Sequence, residues 1–209
     1  MPVIVLLVII AVVAVCAAAF FGYRAYKHRT LAEKLDKRDD DQVHYAFIVN
    51  PSKPQAEQRK QHIKEFCEAK HLTQIEFIET QLDKDGRACA FEALDHGADV
   101  VVAVGGDGTV RTVASALSGT GHALGIVPIG TGNLFARNMG IPVDDIDAAL
   151  TVATSHGSRL VDVGRLTLLD DETTDHGHAF LIIAGIGFDA LTVSYTHLRA
   201  HETLSDIVC

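Results

Sequence analysis

Three glycines and one carboxylate stand together in the segment GGDGT at 105–109. The segment DVVVAV at 99–104, apolar from residue 100 onward, precedes it, and a helical pattern, VRTVASALSG at 110–119, follows it. A glycine segment between a strand and a helix lets an anion approach backbone N–H groups closely, and the helix N-terminus attracts negative charge. The spacing therefore predicts a phosphate-binding loop.

A purely structural role explains only one or two of these glycines, as residues that permit a tight turn. It does not explain Asp107 and Thr109, nor a second glycine segment, PIGTGN at 128–133, which lies one strand later. The pattern G-x-G-x-x-G is absent, and no Lys-Ser or Lys-Thr pair follows the glycines as in a P-loop. The two segments therefore form a signature of their own.

Short apolar segments alternate with amphipathic segments from residue 43 onward. Strands are predicted at 43–50, 73–80, 99–104 and 123–130, and helices at 56–71, 86–98, 110–119, 133–140 and 144–157. This alternation predicts a Rossmann-like, three-layer α/β domain with a parallel sheet over residues 43–157. Ligands bind such sheets at the carboxyl ends of the strands, where both glycine segments lie.

A different pattern begins at residue 158. The segments SRLVDVGRLTLL and GHAFLIIAGIGFDA predict two antiparallel strands, the start of an incomplete all-β domain at 158–193. Residues 194–209 have neither the strand nor the helix period and resemble translated sequencing-adapter sequence. We therefore expect them to be a non-native tail.

The N-terminal segment at 2–23 carries no charged side chain and is long enough to cross a bilayer as a helix. Basic residues begin at Arg24, which places the following chain in the cytoplasm. A cleaved signal peptide is the alternative, but the segment lacks a basic n-region. We expect a single-pass transmembrane helix at 1–23 and a charged stalk at 24–42.

Composition excludes some function classes. The net charge of −9 argues against nucleic acid as a partner, because phosphate backbones require a basic surface. The four cysteines have no paired spacing, which argues against a disulfide framework or a zinc site. Nothing in the sequence indicates an oligomeric state.

The segments VVAVGGDGTVRTVASAL and LGIVPIGTGNLFARNMGIP resemble the catalytic domain of the diacylglycerol kinase-like lipid kinases. This superfamily includes sphingosine and ceramide kinases and, more distantly, the kinases of NAD. The resemblance extends from about residue 44 to 193, and the second segment favours the lipid branch. It implies an ATP-binding α/β domain and a C-terminal β-sandwich, with the active site between them.

The resemblance also implies a reaction and its residues. ATP and Mg²⁺ would be the cofactors, and the substrate would be the hydroxyl of diacylglycerol or a related lipid at the cytoplasmic face of a membrane. Asp107 would be catalytic, either as the base for that hydroxyl or as a ligand that helps hold Mg²⁺. The implied nucleotide-site residues are Asn50, Thr80, Gly105, Gly106, Gly108, Thr109, Gly130, Thr131 and Asn133.

Three departures from the family pattern qualify this expectation. The first loop reads NPSKP and lacks the usual Ser-Gly, Leu134 stands where many relatives have Asp, and most of the β-sandwich is missing. We therefore expect this chain by itself to be inactive. An NAD kinase-like enzyme and a non-catalytic, membrane-tethered nucleotide-binding protein are the alternatives. Arg111 and Arg137 follow the glycine segments, and either a phosphate contact or a solvated surface position fits them.

Overall fold

A computed structural model of the chain describes residues 11–23, 42–53, 55–155, 157–166 and 178–182. Within these ranges lie a helix at 11–23, here α1, and eleven further elements. In chain order these are β1 (Tyr45–Val49), α2 (Ala56–Ala69), β2 (Ile75–Glu79), α3 (Gly86–Asp95), β3 (Val100–Gly105), α4 (Asp107–Leu117), β4 (Ala123–Pro128), α5 (Leu134–Asn138), α6 (Ile146–Ala153), β5 (Gly164–Leu166) and β6 (His178–Phe180).

The first four strands form one parallel sheet in the order β2-β1-β3-β4. Every residue of β1 and β3, the two central strands, is buried, as expected for strands covered on both faces. The edge strand β2 is less buried and carries Glu76 and Glu79. The predicted α/β class with a parallel sheet is confirmed.

Helices cover both faces of this sheet. Successive side chains of a strand point to opposite faces, so Ala46 and Ile48 of β1 pack with α3, α4 and α5. Tyr45, Phe47 and Val49 pack on the other face with α2 and α6. The result is the predicted three-layer arrangement.

Local sequence explains where two of the helices begin. The Asp85 side chain accepts hydrogen bonds from the backbone N–H groups of Arg87 and Ala88 at the start of α3. Asp145 accepts one from Ala148 at the start of α6. Short acidic side chains at these positions satisfy N–H groups that the helix leaves unpaired.

The start of α4 corrects the predicted helix at 110–119. The helix begins at Asp107, with Gly106 as its extended N-cap residue. The Val110 N–H donates to the Gly106 carbonyl oxygen at 3.1 Å and closes the first turn. Apolar periodicity begins only at Val110, so the pattern did not detect the preceding turn.

The chain past residue 157 is described in part. Gly164 of β5 lies opposite Phe180 of β6 in an antiparallel pair, as predicted. Both strands are shorter in the described residues than the predicted segments, since residues 158–163 are not part of a strand. Residues 167–177 and 183–193, and all of the expected non-native tail at 194–209, lie outside the described residues.

Among the described residues, no helix combines the length and apolarity needed to span a membrane. The helix α1 covers residues 11–23 of the predicted transmembrane segment. Residues 1–10 and nearly all of the predicted stalk lie outside the described residues.

Candidate active site

The predicted site residues converge on the edge of the sheet where the four parallel strands end. Thr80 follows β2 and Asn50 follows β1; the segment at 105–109 joins β3 to α4, and the segment at 128–133 joins β4 to α5. Neighbouring strands are about 4.8 Å apart, so this row is about 14 Å long. The structure thus brings together residues that lie up to 83 positions apart, from Asn50 to Asn133.

The topological switch point of the sheet lies between β1 and β3. The helix α2 leaves β1 over one face of the sheet, whereas α4 leaves β3 over the other face. The two connections therefore diverge, and the sheet order reverses at this point. Open α/β sheets bind ligands at such a switch point, and Asn50 and the GGDGT segment flank it.

The side chain of Thr109 leaves no space for a side chain at position 105, which explains why this residue is glycine. A methyl group on Gly105 would lie 2.5 Å from Thr109 Oγ1 and 2.7 Å from Thr109 Cβ. The threonine side chain thus packs directly against the end of β3. A larger residue at 105 would displace it.

Gly108 has a different environment. It is exposed in the first turn of α4, and a methyl group added there would meet no described atom within 4 Å. Glycine inside a helix costs about 0.5–1 kcal/mol relative to alanine. Packing within the described chain does not require this glycine, which leaves room for a ligand beside the backbone at the N-terminus of α4.

Asn133 holds the second glycine segment in shape. The residue is 4% exposed. Its Oδ1 accepts a hydrogen bond from the Gly130 N–H at 3.0 Å, and its Nδ2 donates to the Gly130 carbonyl oxygen at 2.6 Å. Asn133 itself has a left-handed backbone with φ of 48°, which asparagine tolerates better than most residues. This amide therefore bonds within the loop, and Thr131 is left exposed at its tip.

The two glycine segments touch each other. A methyl group on Gly130 would lie 2.9 Å from Gly106 Cα, so the two backbones pass too closely for a side chain. Asp107 Oδ1 accepts a hydrogen bond from the Phe135 N–H at 3.2 Å. A methyl group on Gly132 would lie 3.1 Å from Asp107 Oδ2. The candidate catalytic carboxylate therefore lies between both loops and faces Gly132.

Asn50 also bonds within its own loop. Its Oδ1 accepts hydrogen bonds from the Ser52 backbone N–H at 3.0 Å and from Ser52 Oγ at 2.7 Å. Ser52 thus shapes the first loop, in which the Ser-Gly pair of the family pattern is missing.

Two lysines lie in loops at this edge of the sheet. Lys84 is paired with Glu92, whose hydrogen bond raises the pKa of the lysine. Lys53 is exposed after β1.

Sequence reasoning missed the main contact of Arg137. Its Nε donates a hydrogen bond to the Gly132 carbonyl oxygen at 3.0 Å. The position four residues after Asn133 was the available signal, since a side chain in the last turn of a short helix can reach back to the preceding loop. Arg111 is exposed on α4.

Comparison with known proteins decides the family. The sequence profile of the diacylglycerol kinase catalytic domain matches residues 44–166, more than half of the chain. The chain belongs to this family. Among curated relatives, it is 36% identical over 107 residues to "Diacylglycerol kinase" of Mycobacterium tuberculosis (strain CDC 1551 / Oshkosh), covering 51% of this chain and 33% of the relative.

Two further family relatives agree. The chain is 43% identical over 120 residues to "Probable lipid kinase YegS-like" of Cronobacter sakazakii, covering 56% of this chain and 37% of that protein. A solved structure of a diacylglycerol kinase from Bacillus anthracis (strain Sterne) matches with a TM-score of 0.50 and 26% identity, over 57% of this chain and 46% of that one. The chain thus spans about a third of the length of the curated relatives it matches.

Proposed function

We propose that this family member binds ATP at the carboxyl edge of its sheet and transfers the γ-phosphoryl group to the hydroxyl of diacylglycerol or a related lipid. The open space at Gly108 carries this proposal. A glycine that costs helix stability, and that no described packing contact requires, fits a backbone approached by phosphate oxygens. Family membership supports the same nucleotide and the same class of acceptor.

The residues around this switch point have distinct roles in the proposal. Backbone N–H groups at the start of α4 face the phosphates, together with the exposed tip at Thr131. Asn50 and Thr80 border the nucleotide on the opposite side, after β1 and β2. Bound ATP supplies the phosphoryl group, and Mg²⁺ neutralises its charge.

Asp107 is the proposed catalytic residue. One oxygen, Oδ1, is held by the Phe135 N–H, which fixes the carboxylate. The other, Oδ2, faces Gly132, where small residues leave access for an acceptor hydroxyl or a cation. Both roles, proton acceptor and Mg²⁺ ligand, use this second oxygen.

The described side chains suit a Mg²⁺ ion that is also coordinated by the phosphates of ATP, rather than one held by protein ligands alone. The described residues contain no group of three or more His, Cys, Asp and Glu side chains that could hold a metal ion. Mg²⁺ commonly binds one or two carboxylates and completes its coordination with phosphates and water. Asp107 supplies one such carboxylate.

We also propose that the apolar segment at 2–23 anchors the protein in a membrane, with the kinase domain in the cytoplasm. The uncharged length of this segment and the basic residues that follow it support the placement. A lipid acceptor resides in the bilayer, so an anchor would keep the site near its substrate.

The test measures binding and transfer separately. Isothermal titration of the chain with ATP and Mg²⁺ measures binding. Because the chain by itself is expected to be inactive, transfer is measured after the chain is complemented with a complete β-domain, using labelled ATP in mixed micelles with diacylglycerol, ceramide or NAD. Label in a lipid, lost in Asp107→Asn, is the expected result. Label in NAD alone would support the NAD kinase-like alternative, and binding without transfer would support a non-catalytic nucleotide-binding protein. Absence of ATP binding would overturn the proposal.

A further inference from the structure

The segment between β4 and α5 is fastened at both ends by side chains. Asn133 bonds to the N–H and the carbonyl oxygen of Gly130 at one end. Arg137 Nε donates to the Gly132 carbonyl oxygen at the other end. Thr131 lies between the two attachments, with its residue exposed.

The Arg137 contact acts where the loop passes Asp107. Gly132 is the residue whose added methyl group would come within 3.1 Å of Asp107 Oδ2. A shift of the Gly132 backbone therefore changes the space beside the oxygen that is not bound by Phe135. The hydrogen bond at 3.0 Å between Arg137 and Gly132 restrains this shift.

We infer that Arg137 is a positioning residue that fixes the Gly130–Gly132 loop through its Nε–H and does not serve as a phosphate ligand. The restraint itself follows from the described contacts, whereas its effect on catalysis rests on the proposed kinase function. Arg137 is exposed and lies in the last turn of α5, so its charge also suits the negative end of that helix. An effect of the Arg137 charge on the helix and an effect of its Nε–H donor on the loop predict different results for substitutions of Arg137.

Three substitutions separate the donor from the charge. Arg137→Gln places an amide nitrogen the same number of bonds from Cα as Nε, without the charge. Arg137→Met places a methyl group there and removes both donor and charge. Arg137→Lys keeps the charge on a nitrogen one bond further out. Arg111→Met is the matched control, since Arg111 is an exposed arginine that follows the other glycine segment.

The first readout is hydrogen exchange of the Gly130 amide, measured by NMR without nucleotide or lipid. Its N–H bonds to Asn133 Oδ1, so exchange reports opening of the loop. We expect Arg137→Met to accelerate exchange about five- to tenfold, the ratio typical of one lost hydrogen bond. Arg137→Gln and Arg111→Met should stay within about twofold of the unmodified chain.

The inference would be overturned if the Gly130 amide of Arg137→Met exchanged at the same rate as that of the unmodified chain. It would also be overturned if Arg137→Lys, but not Arg137→Gln, kept the slow exchange of the unmodified chain. The second readout is the split between kcat and the KM for ATP, measured on the chain complemented with a complete β-domain. A positioning role predicts that Arg137→Met lowers kcat and that Arg137→Gln retains it. A phosphate contact predicts instead that Arg137→Gln and Arg137→Met both raise the KM for ATP, whereas Arg137→Lys does not. If no variant transfers phosphate, including the unmodified chain, the exchange data still decide the positioning role, and only the kinase proposal fails.

Discussion

Asp107 caps a helix to which it does not belong. It is the first residue of α4, and its Oδ1 accepts a hydrogen bond from the Phe135 N–H, in the first turn of α5. The N-cap residue of α5, Asn133, makes no side-chain cap of its own, because its amide bonds to Gly130. One carboxylate oxygen thus joins the two glycine segments, and the other lies beside Gly132.

This double role predicts that two substitutions of Asp107 separate stability from activity. Asp107→Ala removes the cap and should lower the free energy of unfolding by about 1 kcal/mol. Asp107→Asn keeps an oxygen acceptor for Phe135 and should change it by less than about 0.5 kcal/mol. Urea unfolding measures both values, and lipid phosphorylation by the chain complemented with a complete β-domain should be lost in both variants. Equal stability of the two variants would argue against the cap.

Gly108 predicts a substitution that stabilises the fold and weakens ligand binding. Gly108→Ala meets no described atom within 4 Å and should raise the free energy of unfolding by about 0.5–1 kcal/mol. The same methyl group should obstruct phosphate and lower ATP affinity by about tenfold or more, the effect of about 1.4 kcal/mol. Thermal unfolding and isothermal titration give the two values. An Ala variant that binds ATP normally would remove the main support for the phosphate site.

Because the two glycine segments pass close to each other, alanine at position 130 should lower the free energy of unfolding more than alanine at position 106. Gly130→Ala would bring its methyl group to 2.7 Å from Asn133 Oδ1 and 2.9 Å from Gly106 Cα. We expect a loss of about 1–3 kcal/mol, as for other overpacked sites. Gly106→Ala approaches Gly130 Cα only to 3.4 Å and should cost less than about 1 kcal/mol. Urea unfolding curves of both variants test this order, and the reverse order would contradict the loop contact.

Cys67 predicts a loss of stability at alkaline pH. Burial raises the pKa of its thiol to about 11 from an ordinary 9.0. Between these two values the unfolded thiol ionises while the folded one stays protonated. The free energy of unfolding should therefore fall by at most about 1.4 kcal/mol per pH unit. More than about one pH unit below 9.0 the thiol is protonated in both states, and this group makes almost no pH-dependent contribution.

The matched variant is Cys67→Ser, which does not titrate in this range. Unfolding free energies from pH 7.5 to 10.5 should fall less steeply for the variant than for the unmodified chain. Identical slopes of unfolding free energy against pH for the two chains would show that burial does not raise the pKa of Cys67.

A second measurement uses a variant with both Cys16→Ser and Cys209→Ser. Thiol reagents at pH 8 should label the buried Cys67 and Cys89 of this variant only after unfolding.

Local residue patterns were enough to predict the elements of the α/β region. The runs of β1 and β3 are apolar throughout because both of their faces are covered, and this composition is visible in the sequence. The helix α3 ends at Asp95 with His96 as its C-cap residue, and Gly97 follows with a positive φ of 84°, a backbone conformation that glycine adopts readily after a helix. The start of α4 was missed, because the polar first turn at 107–109 carries no apolar periodicity.

The sequence by itself determined the α/β class, the two glycine segments and the carboxylate between strand and helix, because these follow from local composition and periodicity. Only the tertiary structure decided that β1 and β3 are neighbours, that Gly106 meets Gly130, and that Asp107 caps α5 while Arg137 holds Gly132. The physical reason is that parallel strands need long crossovers, and the pattern of one strand does not specify which strand lies beside it. Contacts between residues about 25 positions apart in separate loops depend on that strand order and on the register of β3 with β4.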